Sequence, residues 1–376
     1  MKYTRRTILR KVSALSAVTL ATSGIAAAAD CSGQAQWDSN TAYSGGDRVV
    51  YDEALWEAQW WTQGNEPDTA DSVWSKVGDC NGDGGGGDDG GGGDDGGKEN
   101  DVFAPYEGTW GDLVGNTRAA STNRVIASFV GDATAGDGVN PGWLTSAGQR
   151  PLSDFTDEIQ TLQEQGIDVW VAIGGWHGRT VARDASDATE AKQGYEEIID
   201  TLGVTHIDID DENAQGGRPD SVYRIRNEAL AMLQAERPDV KVSYTVPAGR
   251  NGIENRNYSP AKEMVSDAVS AGVDLEYVNI MTMDFNPTTA EIIRSAGEGT
   301  VQWLEQIYPN KSTQERWEML GVTPNIGESG FTTDTASAVV EWAEQQDIGL
   351  LTFWALYKSS SVAQSEIFYQ FENGGN

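Results

Sequence analysis

Between Asn81 and Asn100 the chain reads NGDGGGGDDGGGGDDGGKEN. A run of Gly and Asp offers no side chains from which to build a core, so it predicts a flexible linker over 81–100. By the square-root rule for Gly-rich chains its ends would lie roughly 25 Å apart. A single core cannot run through such a tract, and the chain is thereby divided. The expected pieces are a leader over 1–29, a small module over 30–80 and one large domain over 101–376.

The leader carries five basic residues in its first eleven positions. Arg5 and Arg6 precede Thr7, Ile8 and Leu9. A mildly apolar run rich in Ala, Ser and Thr follows, with an Ala-x-Ala-like site before Asp30. This pattern predicts a twin-arginine signal peptide and a secreted, extracellular protein. The run is too weakly hydrophobic to favour a membrane anchor. Cys31 and Cys80 bracket the small module, and in an exported protein they predict one disulfide.

The formal net charge is −32, and it falls to −37 without those five basic residues. Phosphate binding needs a basic face, so nucleic acid and anionic membranes are excluded as partners. The charge fits life in strong salt, where screening shortens to ~3 Å at 1 M and acidic surfaces stay hydrated. Any single acid therefore reads first as solvated surface. Two cysteines and two histidines form no metal-ligand spacing, and no cofactor is expected. A monomer is expected.

In the small module, short alternating runs (DRVVYD, LWEAQWWT) are separated by Gly, Asn and Pro signals, which predicts a few antiparallel strands. Five tryptophans fall here: Trp37, Trp56, Trp60, Trp61 and Trp74. So small a unit cannot bury five indoles, and one or two suffice for its core. Exposed flat aromatics stack on the apolar C–H faces of sugars. Tyr43, GDRVVY (46–51), AQWWTQG (58–64) and Trp74 resemble the family 5/12 carbohydrate-binding modules of bacterial chitinases. That resemblance implies that Trp60, Trp61 and Trp74 touch the polymer.

The large domain alternates apolar, β-branched runs with amphipathic stretches. The runs are VFAPY (102–106), RVIASFV (124–130), DVWVAIGG (168–175), HIDIDDE (206–212), VKVSYTV (240–246), YVNIMTMDF (277–285), LGVTPNI (320–326) and IGLLTFWAL (348–356). Eight strands separated by helices predict an α/β fold, a (β/α)8 TIM barrel with its site at the C-terminal ends of the strands.

HIDIDDE breaks the surface rule for acids. Alternation puts His206, Asp208, Asp210 and Glu212 on one strand face and Ile207, Ile209 and Asp211 on the other. If the isoleucines pack against helices, the acids point into the barrel and Glu212 reaches its mouth. Crowded carboxylates raise one another's pKa, which suits a general acid for glycoside cleavage. No second free carboxylate nucleophile is evident.

The spacing of Asp208, Asp210 and Glu212 resembles the last three acids of the DxxDxDxE motif of family 18 chitinases. AIGGW (172–176) is similar to that family's SxGG motif and MTMDF (281–285) to its MxxDY motif. FAPY (103–106) resembles its first strand, and Trp354 in TFWAL its eighth-strand tryptophan. The matches keep their order across most of 101–376. Thr205 stands where the motif's first Asp would be, a variant of archaeal-type members, and the charge suggests a haloarchaeal one. Ala172 replaces a serine. Met283 and Phe285 leave no tyrosine hydroxyl for the acetamido group, a role for which Tyr244 and Asp284 are candidates.

The resemblance implies substrate-assisted, retaining hydrolysis of N-acetylglucosamine linkages. Glu212 would be the acid/base, Asp210 would hold the acetamido N–H, and Asp208 would take up a proton. Asp284 and Trp354 would contact the sugar, as would Tyr106, Gly175, Trp176, Met281, Met283 and Phe285. Chitin and N-acetylglucosamine oligomers would be the partners. An endo-β-N-acetylglucosaminidase and a non-catalytic lectin are the alternatives. The short segment after the second strand favours an open, endo-type cleft. Asp211 is expected to raise the pKa of Glu212. His206 is expected to be structural, His177 to lie at a strand end, and Asn325 and Glu328 to line the cleft. Trp110 joins Trp176 as a subsite candidate, while Trp143, Trp170, Trp303, Trp317 and Trp342 are assigned to packing.

Overall fold

The chain divides between Asp95 and Gly96 into two units, each described here by itself. The computed structural model describes residues within 35–79 and 101–372. Outside the described residues lie 1–34, 80–100 and 373–376, with the short segments 40, 44–47, 52–53, 59–61, 66, 68–72, 133–137, 177–179 and 213–219. The leader, the linker, Cys31, Cys80, Trp60, Trp61 and His177 therefore lie outside them.

The small unit is built on antiparallel strands Arg48–Tyr51, Ala54–Ala58 and Trp74–Asp79, with Ala35–Gln36 parallel to the first. Its core is Tyr43, Val49, Trp56 and Trp74. Trp74 corrects an expectation. It is 3 % exposed, packs edge-on against Tyr43 at 5.3 Å and donates its indole N–H to the Asn65 carbonyl. A unit this small needs an indole to fill its centre, and Trp74 lies there and not on an exposed face.

In the large unit eight parallel strands carry the fold among the described residues: β1 (Val102–Phe103), β2 (Arg124–Gly131), β3 (Asp168–Gly174), β4 (His206–Asp210), β5 (Lys241–Gly249), β6 (Leu275–Met281), β7 (Leu320–Thr323) and β8 (Leu350–Leu351). Each pairs with the next from β2 to β8. β1 pairs with β8, and its continuation Tyr106–Gly108 pairs with β2, so the sheet closes into a TIM barrel.

Local chemistry explains the helices between the strands. Asp187 accepts from the Thr189 and Glu190 N–H groups and so caps Ala188–Leu202, which Gly203 ends at φ 64°. Thr289 and Thr332 cap Ala290–Ile307 and Thr333–Gln346 in the same way. These helices bury apolar faces against outward residues such as Ile207, Ile209, Tyr244 and Val246. Inward residues form a second, smaller core of Tyr106, Ile126, Trp170, Ala172 and Tyr277. His206 belongs to that interior, stacked on Trp170 at 3.7 Å and bonded through Nε2 to the Ser243 hydroxyl. Burial pushes its pKa well down, so it is a neutral packing group.

Candidate active site

Register places the polar residues in layers. Asp208 lies level with Ala172 and Ser243, and Asp210 with Gly174 and Thr245. Thr245 is in turn level with Asn279. Asp208 is buried, and its two oxygens accept the hydroxyls of Tyr106 and Thr245, each at 2.8 Å. The Asn279 amide donates to both hydroxyl oxygens, at 3.2 and 2.9 Å. Thr323 donates to the Asn279 carbonyl at 2.8 Å. A connected polar network thus fills the upper barrel. It replaces the hydroxyl that Ala172 lacks, because Tyr106 and Thr245 already satisfy Asp208.

Among the described residues no cation joins that network, and the acids respond accordingly. Burial raises Asp208 to about 7, against the lowering effect of its two hydroxyl partners. Asp210 is raised well above the ordinary range by burial and then by the charges of Glu212 and Asp208. Its buried Oδ1 has no hydrogen-bond partner among the described residues. Glu212 is half-buried and raised to about 7, first by burial and next by the charge of Asp284.

Asp210 and Glu212 open into a cavity of about 200 Å³. Tyr106, Phe129, Trp176, Met281, Met283, Asn325 and Trp354 line it. Trp354 stacks on Phe129 with centroids 5.5 Å apart and rings 19° from parallel. A groove of about 500 Å³ carries this surface onward past Trp110, Leu144, Thr145 and Ser146. Trp110 and Trp176 are nearly half exposed, at 46 % and 47 %. Such a surface is suited to hydroxylated rings with apolar faces, next to an acid that is still protonated near neutral pH.

Residues 36–75 match the carbohydrate-binding module family 5/12. The catalytic domain of a hyperthermophilic chitinase from Pyrococcus furiosus is 31 % identical, with a TM-score of 0.63. The match covers 73 % of this chain and 97 % of that one. This chain belongs to the family 18 chitinases. The "probable bifunctional chitinase/lysozyme" of Escherichia coli (strain K12) is 27 % identical over 68 % of this chain and 30 % of its own length. Endochitinase 11 of Metarhizium anisopliae is 25 % identical over 70 % of this chain and 53 % of its own. The chain thus spans about a third to a half of the length of these curated relatives.

Several positions expected to touch the sugar serve the scaffold instead, or as well. Tyr244 is fully buried and points outward, where its hydroxyl donates to Asn227 Oδ1 at 2.6 Å. Its neighbours Ser243 and Thr245 take the inward positions, so alternation itself removes Tyr244 from the cleft. Phe285 packs in the outer core beneath Arg250 and is not among the cavity's lining residues. Gly175 (φ 73°) leaves room for the Phe129 ring, which an added Cβ would meet at 2.6 Å. Tyr106 lines the cavity with its ring but spends its hydroxyl on Asp208.

Asp211 is the clearest correction. It faces outward and pairs with Arg226 Nη1 at 3.2 Å, both side chains being almost wholly buried. The charge that raises Glu212 comes from Asp284 instead. Sequence reasoning also missed Phe129, Thr245, Asn279 and Tyr258. The charges of Glu212, Asp284 and Asp210 disfavour ionisation of the Tyr258 hydroxyl, after burial, which puts this ring beside the acids. It packs edge-on to Trp176 at 5.1 Å. Inward alternation along β5 and β6 would have found Thr245 and Asn279, whereas Tyr258 comes from a loop with no periodic signal.

Proposed function

We propose that this chain is a secreted, salt-adapted endochitinase that cleaves β-1,4 N-acetylglucosamine linkages with retention. The observation that carries the reading is the inward run Asp208, Asp210 and Glu212, which ends beneath an aromatic cavity with one acid at its mouth. Glu212, raised to about 7, protonates the glycosidic oxygen as the C1–O bond breaks. The acetamido oxygen of the same sugar attacks C1 and closes an oxazolinium ring. Asp210 accepts the acetamido N–H at its unpartnered oxygen and balances the new positive charge. Asp208 takes up the proton that Asp210 releases as it becomes a carboxylate. Water, deprotonated by Glu212, then adds to C1 from the face the leaving group left, and the ring opens.

Trp354 and Phe129 support the sugar, and the aromatic groove past Trp110 accommodates further units. Among the described residues the wall after β2 is the short hairpin Gly142–Thr145 and Gly148–Pro151, which favours an open cleft and internal cleavage. The module match at 36–75 supports an insoluble polymer as substrate. The twin-arginine leader and the charge of −32 support export into strong salt.

The test is hydrolysis of a soluble N-acetylglucosamine oligomer in molar salt, with the product anomer followed by NMR. Fresh β-anomer from wild type and none from Glu212→Gln is the expected result. Fresh α-anomer would overturn the acetamido-assisted route. An inert wild type that still binds oligomers without residues 31–80 would make the barrel a lectin.

A further inference from the structure

The segment 282–288 follows β6 and carries Asp284. Asp284 (φ 61°) and Asn286 (φ 41°) both lie in the left-handed region that side-chain-bearing residues rarely adopt. Such conformations persist only where the surroundings over-determine them. Here the Glu328 carboxylate accepts the Asp284 backbone N–H on both oxygens, at 3.2 and 3.0 Å. It also accepts the Thr288 hydroxyl at 2.7 Å. The Thr288 N–H donates to the Ser329 carbonyl at 2.9 Å, and Arg250 donates to the Phe285 carbonyl.

Glu328 is itself fixed from behind. It sits in the segment after β7, whose Asn325 side chain and Ile326 carbonyl both accept from the Lys358 ammonium. A line of contacts therefore runs from Lys358 through Asn325 and Ile326 to Glu328, and from Glu328 to Asp284. Glu328 does not line the cavity that holds Asp210 and Glu212. It has no acid–base work to do there, and its three accepted bonds all go to the Asp284 segment.

The geometry points to Glu328 as a positioning residue that holds Asp284 in place beside Glu212. This deepens the proposed hydrolase and rests on that reading. The consequence is electrostatic. The charge of Asp284 is, after burial, the second cause of the raised Glu212 pKa. An acid held in place keeps its neighbour protonated, whereas one free to swing into water does not. Among the described residues, the other ionisable groups that interact with Glu212 are Asp210 and Tyr258. Those near the Asp284 segment are Glu328, Lys358 and Arg250.

The experiment uses the full chain in molar salt with Glu328→Ala, Glu328→Gln, Asp284→Asn and the Asp284→Asn/Glu328→Ala double variant. Two quantities are read: the pH profile of kcat/KM on an N-acetylglucosamine oligomer, and the Glu212 carboxyl titration by 13C NMR. Glu328→Ala should lower kcat/KM by roughly tenfold or more. It should also move the Glu212 titration down toward that of Asp284→Asn, and the double variant should move it no further. Glu328→Gln should restore the wild-type titration, because the amide oxygen still accepts the Asp284 N–H. If Glu328→Ala does not fold, Thr288→Val removes one of the three bonds and should shift the titration the same way by less.

A Glu212 titration unmoved in Glu328→Ala, or in Thr288→Val where that variant stands in, would overturn the proposal. So would a Glu328→Gln variant that shifts as far as Asp284→Asn, since charge and not placement would then be at work. An inert wild type would defeat the hydrolase reading alone, because the NMR titration needs no turnover.

Discussion

Asp210 and Asp211 are neighbours in the chain, both buried, and they face opposite sides of the same sheet. Asp211 meets the Arg226 guanidinium, which lies over the rings of Tyr223 and Tyr244 at 5.1 and 4.9 Å. Among the described residues Asp210 meets the charges of Glu212 and Asp208 and no cation, and Asp208 below it accepts from two hydroxyls. Burial is nearly equal, so burial does not explain the difference. The cation does. Outside the sheet a carboxylate is neutralised by its partner and ties β4 to the helix Asp220–Glu236. Inside, the only way to relieve the charge is to hold a proton, and a held proton is what a glycosidase needs.

The largest expected effects come from breaking each side separately. Asp210→Asn keeps the shape and removes the carboxylate that receives the acetamido N–H and balances the oxazolinium charge, so kcat should fall by roughly 10²–10⁴-fold while the denaturation midpoint stays near wild type. A folded variant with unchanged kcat would remove Asp210 from the chemistry. On the outer side, Arg226→Met leaves Asp211 buried without its cation and should cost about 3–5 kcal/mol of stability in denaturant titrations. Adding Asp211→Leu should recover most of that loss, because a buried pair is worth little more than apolar groups of its own volume. A double variant no more stable than the single one would show that the pair does more than neutralise itself.

Glu107 separates the side of the sheet from the partner. It follows Tyr106, faces outward like Asp211 and is fully buried, but among the described residues its side chain accepts from the Asn116 amide at 3.1 Å and from the Tyr357 backbone and meets no cation. Without a cation, burial raises it to about 7. A carboxyl raised from 4.5 to about 7 adds stability below pH 4.5 that is lost as pH climbs toward 7. Glu107→Gln should therefore match wild type near pH 4.5 and exceed it at pH 8 by about 3 kcal/mol. Equal stabilities at both pH values would mean that Glu107 finds compensation on the outer face after all.

Much of this was legible in the chain. The alternation of HIDIDDE placed Ile207 and Ile209 against the helices and the acids inward, and the order of the eight runs became the order of the strands. The same alternation in VKVSYTV turns Tyr244 outward, with Ser243 and Thr245 inward. Trp74 was not legible, because composition says that some indoles must be buried without saying which. Arg226 was not legible as the partner of Asp211, since the pairing depends on the turn of a helix behind the sheet. Nor were the partners of Glu328, the Asp284 backbone N–H and the Thr288 hydroxyl, which lie some forty residues away in another loop.

The smallest effect tests the comparison most finely. From spacing alone, Asp211 stands next to Glu212 and should repel its charge. In the fold it points away and its charge is spent on Arg226, while Asp284 supplies the repulsion across the mouth. Asp211→Asn should therefore leave the upper limb of the kcat/KM profile where it is, whereas Asp284→Asn should move it downward, since removing a nearby negative charge makes Glu212 easier to ionise. Stability should still fall in Asp211→Asn, because Arg226 is left buried with a neutral partner. A downward limb shift in Asp211→Asn as large as that in Asp284→Asn would mean that the two faces of the strand are not electrically separate, and that the Arg226 pair leaks enough field to set the acidity of the residue beside it.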